Sequence, residues 1–138
     1  MITLHEQPPD KEAYLSLFLT TGWNEEYKAS ADVLEKALKN SWLTVSAFEG
    51  ETLVGFGRVV TDQVMHAMIY DMIILPAWQG KGIGTTILKR LLDRCHEHGI
   101  NDIQLFCAQG KRKFYEKNGF VARPEDAPGM QLRQRDGA

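Results

Sequence analysis

Residues 76 to 84, Pro-Ala-Trp-Gln-Gly-Lys-Gly-Ile-Gly, set three glycines at alternate positions between an apolar run and a long amphipathic stretch. A strand that turns into a helix through glycines leaves the helix's first N–H groups unpaired and aimed at one spot. There the helix dipole adds partial positive charge, and phosphate is attracted. Without Cβ atoms a ligand can reach the backbone itself. The segment therefore reads as a pyrophosphate cradle built of backbone amides rather than side-chain charges. Glycines can also serve only a tight turn, so the surrounding elements decide between the two readings.

Two nucleotide loops are excluded by the residues present. A P-loop ends in Gly-Lys-Ser/Thr after four intervening residues, and the chain has no such run. A dinucleotide fingerprint starting at Gly82 wants a small residue where Ile87 stands. It also wants an acid at the end of the next strand, where Gln104, Leu105 and Phe106 lie.

Asp71 is the one acid in the apolar run His-Ala-Met-Ile-Tyr-Asp-Met-Ile-Ile-Leu, residues 66 to 75. Burial there would raise its proton affinity toward that of a useful base. A carboxylate hydrogen-bonded for structure, or exposed at a bulge, fits the same position, because a place on a strand sets proximity but not direction. Glu25, Glu26 and Asp62 fall in polar loops, where solvation is the ordinary role. His96 and His98 point different ways on a helix, and His5 and His66 have no visible partner. Cys95 and Cys107 lack metal-ligand spacing and read as buried, reduced thiols. The expectation is no metal and no covalent enzyme intermediate.

These groups need elements to hold them. Asp10, after Pro8 and Pro9, can cap a helix carrying Tyr14, Leu15, Leu17, Phe18 and Leu19 that stops near Gly22. Residues 21 to 30 read as a loop, and Ser30 or Asp32 can cap a second helix with Val33, Leu34, Ala37 and Leu38. From Trp42 the period becomes two, giving a hairpin around residues 49 to 52 and then a third strand ended by Pro76, apolar enough to be buried on both faces. Ile83, Ile87, Leu88, Leu91, Leu92 and Cys95 form one helical stripe, which Gly99 ends. A strand at 102–106, a short helix at 111–118 and a last strand from Phe120 follow. The expected fold is α/β (α+β): a mixed, mostly antiparallel sheet with a parallel pair in its middle.

At 138 residues the chain fits a single domain, 1–138, with an ordinary globular composition of 43% apolar and 25% charged residues. A net charge of −2 gives no footprint for nucleic acid. The amino-terminal sequence has no basic segment followed by an apolar core, and no stretch approaches the ~20 apolar residues of a membrane span. The expectation is a cytoplasmic protein with neither nucleic acid nor membrane as partner.

Gln79-x-x-Gly82-x-Gly84, after an apolar strand and proline and before an amphipathic helix, resembles the pyrophosphate loop of the GNAT superfamily of acyl-CoA-dependent N-acyltransferases. Phe-Tyr-Glu-Lys-Asn-Gly-Phe at 114–120 resembles that family's second block. The resemblance covers the element order of the whole chain. It implies a sheet with a central splayed parallel pair and helices on both faces, and acetyl-CoA as cosubstrate, its pyrophosphate on the amides of Gln79, Gly80, Lys81, Gly82, Ile83, Gly84 and Thr85. It implies pantetheine inserted between the splayed strands against Met72, Ile73 and Ile74, and Tyr115 as the acid that protonates the CoA sulfur. It also implies an amine acceptor and a homodimer. Ala108 and Lys111 stand where many members carry Asn and Ala, a departure at a secondary pantetheine contact. Trp23, Tyr27 and Trp42 could line an aromatic-amine pocket or simply pack the core. A small-molecule amine leads; a protein lysine or α-amine, and an acyl-CoA-binding sensor without turnover, stand beside it.

Overall fold

The computed structural model describes residues 1–133, which fall into two compact units, Met1–Leu105 and a second that begins at Phe106. The first unit is built on a five-stranded sheet in the order β1-β2-β3-β4-β5. Its strands are β1 Ile2–His5, β2 Leu43–Glu49, β3 Thr52–Thr61, β4 His66–Ile74 and β5 Asp102–Leu105. The first four run antiparallel to their neighbours, and β4 and β5 are parallel.

The helices follow from capping and apolar spacing. Helix α1, Lys11–Leu19, starts at Asp10, whose carboxylate accepts from the N–H groups of Glu12 and Ala13 at 3.1 Å. Helix α3, Ala31–Lys39, starts at Ser30, whose hydroxyl accepts from Val33 N–H at 3.2 Å. Between them residues 24–27 form a four-residue helix, α2, where the sequence reads as a loop; four residues are too few to show a period. Tyr14, Leu17, Phe18, Leu34 and Leu38 of α1 and α3 pack with Leu53, Phe56 and Ile73 of the sheet.

Helix α4, Ile83–Glu97, covers the opposite face, and its first-turn and middle residues Ile83, Ile87, Leu88 and Leu91 are all buried. Each such side chain contributes about 1.5–3 kcal/mol when buried. The exposed Lys89–Asp93 pair on the same helix is worth less than about 1 kcal/mol, so apolar contact seats α4. Two strand glycines let it sit close. A Cβ at Gly57 would lie 2.6 Å from Met72 Sδ and 3.0 Å from Leu91 Cδ1, and one at Gly55 would lie 2.9 Å from Ile74 Cδ1 and Ile87 Cδ1. Bare backbone on β3 thus brings α4 and the end of β4 together.

Several expectations are corrected. β4 is buried only at Ala67, Ile69 and Ile73, with Tyr70 39% exposed, so it is a half-covered strand. No strand follows Phe120 among the described residues: Pro124 and Pro128 have no N–H to give a ladder, and Arg123 Nε instead bonds Ala127 O at 3.1 Å. Among the described residues the parallel pair of the expected mixed sheet is β4 with β5, the last two strands in the order. Cys95 is buried as expected, but Cys107, just past β5, is exposed.

Candidate active site

After β4 the chain makes one 3-10 turn, Pro76–Trp78, and then Gln79 is extended at φ −71° and ψ 154°. Gly80 and Gly82 have φ of +77° and +84°, in the left-handed region that side chains resist. A Cβ on either would meet nothing within 4 Å, so both face open space. Helix α4 begins at Ile83 with Gly82 as its cap, hence with no capping side chain, and no acid stands in its first turn. The first amides of α1 and α3 donate to Asp10 and Ser30, whereas no hydrogen bond among the described residues gives Ile83, Gly84 or Thr85 N–H an acceptor. The first amide of the helix that bonds back is Thr86 N–H, to Gly82 O at 3.1 Å. This end is a set of parallel donors with the field of a 15-residue helix behind them, and the exposed Lys81 adds charge beside it.

Among the described residues, the strand leading to this loop has no strand partner on one edge beyond Ile69. The parallel ladder stops at Ile69 opposite Leu105, while β4 continues to Ile74 paired with β3 alone. Leu75 N–H donates to Val54 O on β3 at 2.9 Å. Successive residues of a strand direct their backbone groups to alternate edges, so Met72 and Ile74 direct theirs away from β3. Gln79 Nε2 reaches back to Ile74 O at 3.1 Å, tying the loop to this edge.

Asp71 sits at an irregularity of β4. Phe56 faces Ile73 and Arg58 faces Tyr70, so Gly57 alone spans Asp71 and Met72, a bulge in which Asp71 takes φ +56°. Its Oδ2 accepts from Arg58 Nε at 2.7 Å and from Tyr14 OH at 3.3 Å. Arg58 also donates through Nη1 to Ser41 Oγ at 3.1 Å and lies 5.4 Å over the Tyr70 ring. Burial first, and then the Asp71 charge, push the Tyr14 phenol far above its ordinary range, so it stays protonated and donates. Asp71 is thus held by two donors rather than isolated in apolar surroundings. The sequence carries no signal for either partner, since Tyr14 reads only as a core residue of α1.

Tyr115 belongs to the second unit, on α5, Arg112–Lys117. It is buried, edge-on to Phe114 at 5.0 Å and to Phe120 at 5.8 Å, while Phe114 is half-buried. Tyr115 is the more deeply placed of the two aromatic neighbours in this block. Burial, with a smaller contribution from Cys107, pushes its phenol up to about 12. It is a neutral donor at ordinary pH, and its hydroxyl has no hydrogen-bond partner among the described residues.

The aromatic candidates separate. Trp23 and Tyr27 gather around Phe18 at 5.9 and 6.2 Å, whereas Trp42 packs against His98 at 5.2 Å with the rings tilted by 58°. Among the described residues no group of three or more His, Cys, Asp or Glu side chains could hold a metal ion, and no helix is long and apolar enough to cross a membrane.

The family model of the acetyltransferase (GNAT) family matches residues 7–120. An uncharacterized N-acetyltransferase, ycf52, of Pyropia yezoensis is 32% identical over 115 residues, covering 80% of this chain and 64% of that protein. The histone acetyltransferase TAP1 of Glycine max is 32% identical over 108 residues, covering 70% of this chain and 47% of that one. The chain thus spans between about half and two thirds of the length of these relatives. Among solved structures, the GNAT family acetyltransferase SP0256 of Streptococcus pneumoniae TIGR4 superposes with a TM-score of 0.82 at 30% identity, over 99% of this chain and 100% of that one.

Proposed function

The chain belongs to the GNAT family of acetyltransferases, and from that membership we propose that it moves the acetyl group of acetyl-CoA to a primary amine of a small molecule by direct attack. The observation that carries this reading is the uncapped start of α4, opening from a glycine loop at the end of β4, which β3 pairs but the β5 ladder does not reach. The residues suit the cosubstrate: the amides of Gln79 to Thr85 would hold the pyrophosphate, and the open space at Gly80 and Gly82 admits it to the backbone. Met72, Ile73 and Ile74 would meet the pantetheine arm along the free edge of β4.

Acetyl-CoA supplies an acyl group already activated as a thioester. What remains for the protein is placement and protons. An alkyl ammonium of pKa ~10.4 is neutral in only about one molecule in 2,500 at pH 7, so a proton must leave before attack. We assign Asp71 to receive it, at Oδ1, the oxygen free of Arg58 and Tyr14. The amine nitrogen then bonds to the acyl carbon, the C–S bond breaks, and Tyr115 gives its hydroxyl proton to the departing sulfur. Tyr115 recovers its proton as the amide nitrogen loses its second one, directly or through water. The proton on Asp71 passes to solvent, so one proton is released per turnover.

A protein lysine or α-amine as acceptor is the second reading, favoured by the likeness to TAP1. The cytoplasm and a homodimer belong to the leading reading as expectations drawn from composition and family. The test is release of free thiol from acetyl-CoA across alkylamines, polyamines, arylalkylamines, aminoglycosides and peptides, with the acetylated product identified by mass. Turnover with a small amine supports the leading reading and turnover with peptides alone the second. Binding of acetyl-CoA with no thiol release from any acceptor would leave a sensor and contradict both.

A further inference from the structure

Three non-glycine residues among those described have left-handed backbone: Lys28, Gln63 and Asp71. Lys28 closes the short α2, and Gln63 lies in the turn between β3 and β4, both ordinary places for it. Asp71 is the one inside a strand. A strained residue persists only where its surroundings over-determine it. Here they do: Arg58 Nε and Tyr14 OH converge on one carboxylate oxygen, from β3 and from α1. Arg58 is itself fixed by Ser41 Oγ and the Tyr70 ring, and Tyr14 is fully buried between Phe18 and Phe56.

The consequence falls on the next three residues. The bulge puts Asp71 and Met72 opposite the single residue Gly57, and the Met72 side chain lies over that glycine, where a Cβ would stand 2.6 Å from its sulfur. It thereby fixes which backbone groups of Met72 and Ile74 reach the free edge of β4. We propose that Tyr14 and Arg58 are positioning residues for the acyl end of the site: by tethering Asp71 they hold the left-handed bulge that aims the Met72–Ile74 backbone at the thioester arm. This rests on reading that edge as the acetyl-CoA site. It differs from a proton-accepting role for Asp71, since it acts on binding of the arm and through the backbone.

The test compares Asp71→Gly with Asp71→Ala. Both delete the carboxylate and orphan Arg58 alike, so that loss cancels between them, but only glycine takes φ +56° freely. Two ligands are titrated by calorimetry: acetyl-CoA, and 3′-phospho-ADP, which has the pyrophosphate but no pantetheine. Asp71→Ala is expected to bind acetyl-CoA about tenfold more weakly than Asp71→Gly, the factor expected for a left-handed non-glycine residue, with 3′-phospho-ADP bound equally by both. Tyr14→Phe keeps the buried ring and removes only the hydroxyl. It should raise the acetyl-CoA Kd by roughly threefold or more through the lost donor, again sparing 3′-phospho-ADP.

Equal acetyl-CoA affinity in the glycine and alanine variants, with Tyr14→Phe like the parent, overturns the tether while leaving the proposed function standing. Parallel weakening of both ligands shows a general loss of structure and also overturns it. Failure of the parent to bind acetyl-CoA at all removes the reading on which the inference rests, and the inference with it.

Discussion

Replacing Gly82 with alanine separates the two uses of the glycine loop. A Cβ there would meet no atom within 4 Å, so the ligand-free protein suffers no clash. It suffers only the left-handed backbone at φ +84°. That strain is about 1–2 kcal/mol, and for a chain of this size it lowers Tm by roughly 3–10 °C. The methyl would occupy the open space at Gly82 through which the proposed pyrophosphate reaches the backbone. With acetyl-CoA at one hundred times the parent's Kd, mass action stabilises the parent by about 2.7 kcal/mol. If the methyl weakens binding about one hundredfold, the same concentration stabilises the variant by only about 0.4 kcal/mol. The assay is a thermal melt of both proteins with and without acetyl-CoA, where the ligand-induced shift, not the starting Tm, carries the information. A Gly82→Ala variant that melts slightly lower yet gains as much from acetyl-CoA as the parent would refute the cradle and leave Gly82 to the turn alone.

Other expectations follow from residues already placed. Tyr115→Phe removes one hydroxyl and keeps the ring, so kcat should fall about 100-fold or more with acetyl-CoA affinity and Tm nearly unchanged; steady-state kinetics beside a thermal melt check it. Tyr115 binds its proton more tightly when folded, near 12 against about 10 unfolded, so its contribution is fully present below about pH 10 and is lost as pH rises toward 12. The unfolding free energy of the parent relative to Tyr115→Phe, from urea melts at pH 9 and 11, should therefore drop over that window. Gly57→Ala puts a methyl 2.6 Å from Met72 Sδ and 3.0 Å from Leu91 Cδ1, and should lower stability by about 1–3 kcal/mol in urea melts as α4 lifts from β3.

The loop was legible in the sequence because its determinants are local: an apolar run, proline, alternate glycines and a helical stripe from Ile83 to Cys95, each readable within a dozen residues. The parallel pair followed from strand, helix and strand in succession. The setting of Asp71 was not legible, since Arg58 stands 13 residues away and Tyr14 stands 57 away, on a helix whose rotation about its axis only packing fixes. Gly55 and Gly57 likewise look like weak points of a strand until α4 is laid over them. The region after Phe120 failed in the other direction: Phe-Val-Ala-Arg-Pro at 120–124 reads as the start of a strand, but Pro124 and Pro128 remove donors a strand would use.

The central claim is that the uncapped amides at the start of α4 bind the pyrophosphate of acetyl-CoA. Calorimetric titration of the full chain with acetyl-CoA tests it most directly. One site per chain is predicted, competed by CoA and by 3′-phospho-ADP, and weakened by Gly82→Ala. No heat and no saturation with acetyl-CoA at millimolar concentration, from a protein that melts cooperatively, would contradict it.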